Sequence, residues 1–257
     1  VRIVFLSSDD EYAGAMQKYL YESHPDRIVA SVVSSCMIYR KKLLQSVVTL
    51  WKASGFRYPL EMARIKLLRR LNPNRPYAIP SALAASDGVE IFRCADINAP
   101  EAVSRLARWK PDLIISTNFN QYIGRSVRTL PTVGTWNLHK SLLPEYRGMA
   151  PAFHALLDGK RIAGATLHVV DKGIDTGAVL ARTEVPVGPE DTVFSLSLRI
   201  ADAGGRMLVS FLEKTVSGSD GTIRLDATPQ PSGPFRSYTY PDRTELRLFR
   251  KKGLRFI

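Results

Sequence analysis

Residues 137–151 read NLHKSLLPEYRGMAP and residues 164–177 read GATLHVVDKGIDTG, and the way these stretches join decides the fold. Each starts as a short apolar strand and ends in a loop marked by Gly or Pro, with a short helical spacer between them. Asn137, His139 and Asp175 therefore stand at strand ends and in a Gly-bounded loop, where a sheet flanked by helices usually builds its site.

Outward from this pair, strand and helix alternate. Residues 1–8 (VRIVFLSS), 28–34, 89–94, 112–117, 134–138, 165–170 and 179–185 predict strands, and 12–23, 100–109 and 192–215 predict helices. Such alternation specifies an α/β fold with a mainly parallel, Rossmann-like sheet and right-handed crossovers. Residues 1–224 are expected to form this domain. Residues 37–87 interrupt it as a basic helical insertion, because a crossover between neighbouring strands rarely needs so many residues. Leu43, Leu44, Val47, Val48 and Trp51 recur at helical spacing, and Ile65, Leu67 and Leu68 predict a second helix, stopped by LNPNRP at 71–76. The expected arrangement packs the apolar face of this pair on the domain and leaves its Lys and Arg in water. Residues 225–257 should form an appendage: a Pro-rich connector, TPQPSGPFRSYTYP at 228–241, that cannot continue a sheet, then a helix opened by Asp242 with Glu245 and stopped at Gly253.

The chain has 257 residues, with 36 Lys and Arg against 24 Asp and Glu, a net charge of +12. That field favours anionic partners: phosphates, polyglutamates, nucleic acid or an acidic membrane face. The excess concentrates at 37–75, where ten cations face Glu61 alone, and a dimer contact, an acidic lipid surface or an anionic substrate could each use that segment. No apolar run spans a bilayer and no secretory leader opens the sequence. Cys36 and Cys94, without a CxxC pair or a His at ligand spacing, read as reduced thiols in a cytosolic protein, with no metal expected.

Asn137 and His139 are two apart on a strand, so both side chains leave the same face. An amide N–H and an imidazole N–H converging there can hold a carbonyl oxygen as it gains charge. Asp175, in a tight loop between Gly173 and Gly177, can bring a carboxylate to His139 and help move a proton from an attacking amine. Together they make a working set for acyl transfer.

PDLIIST before the site, HKSLLPEYRG through it and GATLHVVDKGIDTGAVL after it resemble the folate-dependent formyltransferase family, over about residues 3–212. The resemblance implies the formyltransferase fold, 10-formyltetrahydrofolate as donor substrate and a primary amine as acceptor. It implies catalytic roles for Asn137, His139 and Asp175, and it matches His168 to a His ahead of the Asp loop. It places the folate against Gln121, Tyr122, Ile123, Leu142, Val170, Asp171, Lys172, Gly173 and Ile174. Gln121 stands where several relatives carry Arg, and Tyr122 where they carry an aliphatic residue.

Relatives acting on glycinamide ribonucleotide have a Gly-rich turn after the first strand; this chain has Ser7, Ser8, Asp9 and Asp10 there, and the two carboxylates would repel its phosphate. Methionyl-tRNA relatives add a C-terminal β-barrel that residues 225–257 are too few to form, and deformylase relatives begin with a further domain. The expected acceptor is a small-molecule amine, foremost a nucleotide-linked amino sugar, rather than nucleic acid. The alternatives are a methionyl-tRNA formyltransferase-like enzyme lacking the C-terminal domain, or a non-catalytic module that binds anions or membranes through the insertion.

Overall fold

A computed structural model describes residues 1–71, 77–216 and 225–257. The order is β1 (Ile3–Ser7), α1 (Glu11–Ser23), β2 (Ile28–Ser34), α2 (Leu43–Ser54), α3 (Arg57–Leu71), α4 (Pro80–Ser86), β3 (Glu90–Cys94), α5 (Pro100–Arg108), β4 (Leu113–Thr117) and α6 (Arg125–Arg128). It continues β5 (Gly134–His139), β6 (Arg147–Gly148), α7 (Pro151–Leu157), β7 (Ile162–Val169), β8 (Val179–Pro186), α8 (Val193–Val216), β9 (Ser237–Tyr238) and α9 (Arg243–Lys251).

The main sheet runs β3-β2-β1-β4-β5-β7-β8. Its first five strands are parallel, and β7 and β8 continue it antiparallel. Both faces are covered, so β1 is apolar throughout. Its alternate residues Ile3 and Phe5 join the core under α1, α7 and α8, while Val4 and Leu6 join the core under α5. The chain builds β1, β2 and β3 in one direction and then crosses back to β4 on the other side of β1. This reversal opens a crevice at the carboxyl ends of β1 and β4.

The insertion departs from expectation in two ways. A third helix, α4, follows the predicted pair, started by Pro80 at its first position. The apolar face of α2 does not pack inward: Leu43 is 70 % exposed, Leu44 75 % and Trp51 51 %, while Ser46, Leu50 and Ser54 are buried. The reason is geometric, since α2 packs on α3 and α9 along its Ser46-Leu50-Ser54 edge, which turns the wider apolar stripe outward. The predicted stop in LNPNRP and the boundary at 224 fall on 72–76 and 217–224, outside the described residues.

The connector also pairs with sheet, against expectation. Ser237 and Tyr238 pair in parallel with Arg147 and Gly148, and Thr228 bridges Val179. Its prolines at 229, 231, 234 and 241 flank the pairing residues rather than occupy them, so no required N–H is lost. Phe153 of α7 then stacks on Phe249 of α9 at 4.6 Å between centroids, with Phe256 at 5.9 Å from the same ring, fixing the tail to the body.

Candidate active site

A cavity of about 600 Å³ opens at the carboxyl ends of β1, β4 and β5, a size suited to small-molecule ligands. Its wall carries Ser8 after β1, Asn118 after β4, and Asn137 and His139 from β5. The loop from Val170 to Asp175 faces them, and Ser237 to Tyr240 of the tail complete the enclosure.

The Asp175 carboxylate is the hub. Its Oδ1 accepts from Asn137 Nδ2 at 3.2 Å and lies 3.5 Å from His168 Nε2. Its Oδ2 accepts from the Gly148 backbone N–H at 2.8 Å and lies 3.5 Å from His139 Nδ1. Asn137 and His168 meet because β5 and β7 pair them directly opposite one another. Asp175 reaches them because its backbone turns left-handed, φ 52°, a conformation Asp tolerates better than most residues. Gly177 must be Gly, since a Cβ there would collide with the Val169 carbonyl oxygen.

Burial pushes the Asp175 carboxyl upward. The attraction of His139 when it is protonated, the contact with His168 and the N–H donated by Gly148 outweigh it, holding the pKa well below the usual carboxylate range. For His139, burial dominates and lowers the pKa, although Asp175 and the Tyr146 carbonyl oppose it. The site at neutral pH therefore holds an anion beside a neutral imidazole. His139 Nε2 lies 3.0 Å from the Tyr146 carbonyl oxygen and donates to it, so its Nδ1 lone pair turns toward Asp175.

This corrects the converging pair of donors expected from the sequence. Both amide hydrogens of Asn137 are engaged, one by His168 Nε2 at 3.1 Å and one by Asp175, and the His139 N–H points at Tyr146. Strand spacing dictated that the side chains share a face, but their donors are satisfied by groups brought in from β7, the 170–177 loop and residues 146–148.

The expected folate contacts divide. Gln121, Tyr122, Ile123, Val170, Asp171, Gly173 and Ile174 line the cavity. The Gln121 amide is nonetheless spent on the protein, accepting from the Ile97 N–H and donating to Ser34 Oγ and the Cys94 carbonyl, so it ties the ends of β2 and β3. Tyr122 Oη donates to the Lys172 carbonyl at 3.2 Å across the mouth. Lys172 itself is exposed outside the cavity wall, and Leu142 lines a separate small cavity beside Gly164. Both side chains lie off the expected surface: the 171–175 turn throws Lys172 to solvent, and the bend after β5 turns Leu142 against β7.

Other residues of the site had no sequence signal of their own. Lys140 Nζ donates to Asn118 Oδ1 at 2.8 Å and stands over the Tyr12 ring. Gln230 Nε2 donates to the Asp175 and Gly177 carbonyls at 2.9 and 2.8 Å, and its Oε1 accepts from buried Arg147 at 2.7 Å. The Gly148 backbone, at φ 89°, pairs so closely with Tyr238 that a Cβ would strike its carbonyl oxygen. Asp9 and Asp10, expected to repel a phosphate, are engaged: Asp9 with Ser81 and Arg93, Asp10 as the cap of α1 and with Asn118. Among the described residues no cluster of His, Cys, Asp or Glu could hold a metal ion, and no helix is long and apolar enough to cross a membrane.

The sequence profile described as formyl transferase matches residues 66–212. Methionyl-tRNA formyltransferase of Aromatoleum aromaticum is 34 % identical over 188 residues, 70 % of this chain and 55 % of that protein. The chain spans about half the length of the curated relatives it matches. Glycinamide ribonucleotide transformylase 1 from Symbiobacterium toebii superposes with TM-score 0.59 at 20 % identity, covering 88 % of this chain and 93 % of that one. An N-formyltransferase from Helicobacter canadensis, in complex with folinic acid and dTDP-3-aminofucose, superposes with TM-score 0.58 at 14 % identity, covering 93 % and 71 %. These two likenesses carry the fold.

Proposed function

Since this chain belongs to the formyl transferase family, we propose that it moves the formyl group of 10-formyltetrahydrofolate to the primary amine of a small metabolite. The observation that carries the reading is the Asp175 carboxylate held between Asn137, His139 and His168 in the wall of the cavity. A neutral amine attacks the formyl carbon, a C–N bond forms, and the formyl oxygen takes up negative charge. One Asn137 hydrogen leaves its 3.2 Å bond to Asp175 for that oxygen. Asp175, freed on that side and fixed by Gly148, balances the ammonium and passes its proton onward through water, being too weak a base to keep it. The bond to the folate nitrogen then breaks, and tetrahydrofolate leaves with a proton on that nitrogen.

A nucleotide-linked amino sugar is the acceptor we favour. The tail closes the cavity with Tyr238 and Tyr240, and Lys140 stands in its wall as a cation; aromatic faces suit a base or sugar and the cation a phosphate. The folinic acid and dTDP-sugar complex of the Helicobacter canadensis protein supports the same reading for donor and acceptor. Charged initiator tRNA is the second acceptor, supported by the identity to methionyl-tRNA formyltransferases. The test incubates the protein and the formyl donor with nucleotide-linked amino sugars, free amines and charged initiator tRNA, and reads the mass gain of each. Asn137→Ala should lower turnover by about 10²–10³. The proposal fails if no amine is formylated, or if both Asp175→Asn and His139→Ala keep wild-type turnover.

A further inference from the structure

The α2–α3 hairpin presents a surface that the reaction does not use. Its inner edge is buried through Leu50, Tyr58 and Ile65, while Leu43, Leu44 and Trp51 of α2 and Leu60 and Leu67 of α3 are each at least half exposed. Leu43, Leu44, Val47 and Trp51 fall on one face of two helical turns. Cations frame this face. Lys42 and Lys52 stand exposed at the two ends of α2, and α9 packs against α2 with Arg247, Arg250 and Lys251 exposed. The Arg243 side chain lies beside Gly55 at the turn of the hairpin. Among the described residues of α2 and α3 the acid is Glu61, paired with Arg64 at 3.6 Å, and on α9 Glu245 is paired with Arg236 at 3.3 Å while Asp242 caps the helix.

We infer that this hairpin docks the protein on an anionic lipid bilayer. Its Leu and Trp side chains enter the headgroup boundary, and the cations of α2 and α9 meet the anionic headgroups. An RNA would be held by the cations but would gain nothing from exposed leucines at the centre of the patch. A second copy of this chain would set the same cations against one another. The root of the hairpin reaches the reaction site: Met37 lines the cavity, and Asn120 Nδ2 holds its carbonyl at 3.1 Å, so docking holds the cavity mouth near the membrane.

The test is co-sedimentation with phosphatidylcholine vesicles, with and without phosphatidylglycerol, at low and high salt. Two double variants accompany it, Leu44→Glu with Trp51→Glu, and Lys42→Glu with Lys52→Glu. All four side chains are exposed, so both variants should melt like the wild type. The wild type should partition to the anionic vesicles and weaken as salt rises, and each double variant should lose about tenfold or more. The inference is overturned by absence of binding at low salt, by equal binding to phosphatidylcholine alone, or by binding that the Leu44→Glu, Trp51→Glu variant retains. It is likewise overturned if the wild type binds RNA instead of vesicles, or forms a dimer that this variant dissolves.

Discussion

Replacing Gln230 by Ala tests whether the C-terminal tail helps build the reaction site. The side chain makes three hydrogen bonds: two donated to the Asp175 and Gly177 carbonyls and one accepted from Arg147. A neutral bond contributes about 0.5–1.5 kcal/mol net and one to a charged group about 1.5–3. Their sum is an upper bound, because Gln230 is half-exposed and water can replace part of it. Arg147 is buried, with an Nε that has no partner and a guanidinium over the Phe235 ring, so removing its acceptor is the costliest part. A net loss of about 2 kcal/mol should lower the melting temperature by about 4–8 °C in a protein of this size. The carbonyl bonds set the turn from which Asp175 points. Their loss should reduce kcat by about tenfold or more with little change in KM, since each tenfold is about 1.4 kcal/mol of barrier. Gln230→Glu separates the contributions: it keeps an acceptor for Arg147 but sets a carboxylate against two carbonyls, so stability should recover while kcat stays low. If Gln230→Ala leaves both the melting temperature and kcat within error of wild type, the tail is not part of the site.

Asp175→Asn keeps the left-handed backbone, which Asn tolerates, but removes the anion; turnover should fall about 10²–10⁴-fold with an unchanged circular dichroism spectrum. Gly148→Ala should drive β6 from β9 and withdraw the N–H from Asp175, so steady-state kinetics should show lost turnover and limited proteolysis a loosened tail. Phe153→Ala removes a buried ring stacked on Phe249 and should cost about 3–5 kcal/mol, read as a lower denaturant midpoint. Both perturbed groups of the site have depressed pKa values, so each contributes stability that is present above its unfolded pKa and lost as pH falls. His139 should begin to destabilise the fold below about pH 6.5, and Asp175 only below about pH 4, so melts across this range should show a two-stage decline with no corresponding loss toward pH 8 from these groups.

What could be read along the chain was what depends on near neighbours. The continuous apolar run of β1, the cap at Asp242, and the two-residue spacing of Asn137 and His139 all follow from local pattern, which any segment carries within itself. The amphipathic spacing of α2 was legible too, but not which way its stripe faces, because that depends on the shape of α3 and α9 beside it. The donors around Asp175 were hidden for the same reason. Arg147 and Gln230 are 83 residues apart and Gly148 lies 27 from Asp175, and nothing local in TPQPSGPF marks a residue that will brace a distant loop. Sequence alone determined the strands of the main sheet, the long helices and the polar residues at strand ends, but not α4 or the pairing of the connector. Tertiary structure decided which donors are spent, which carboxylate stays charged and which apolar face meets solvent, because burial and hydrogen-bond satisfaction belong to the folded arrangement and not to any segment of it.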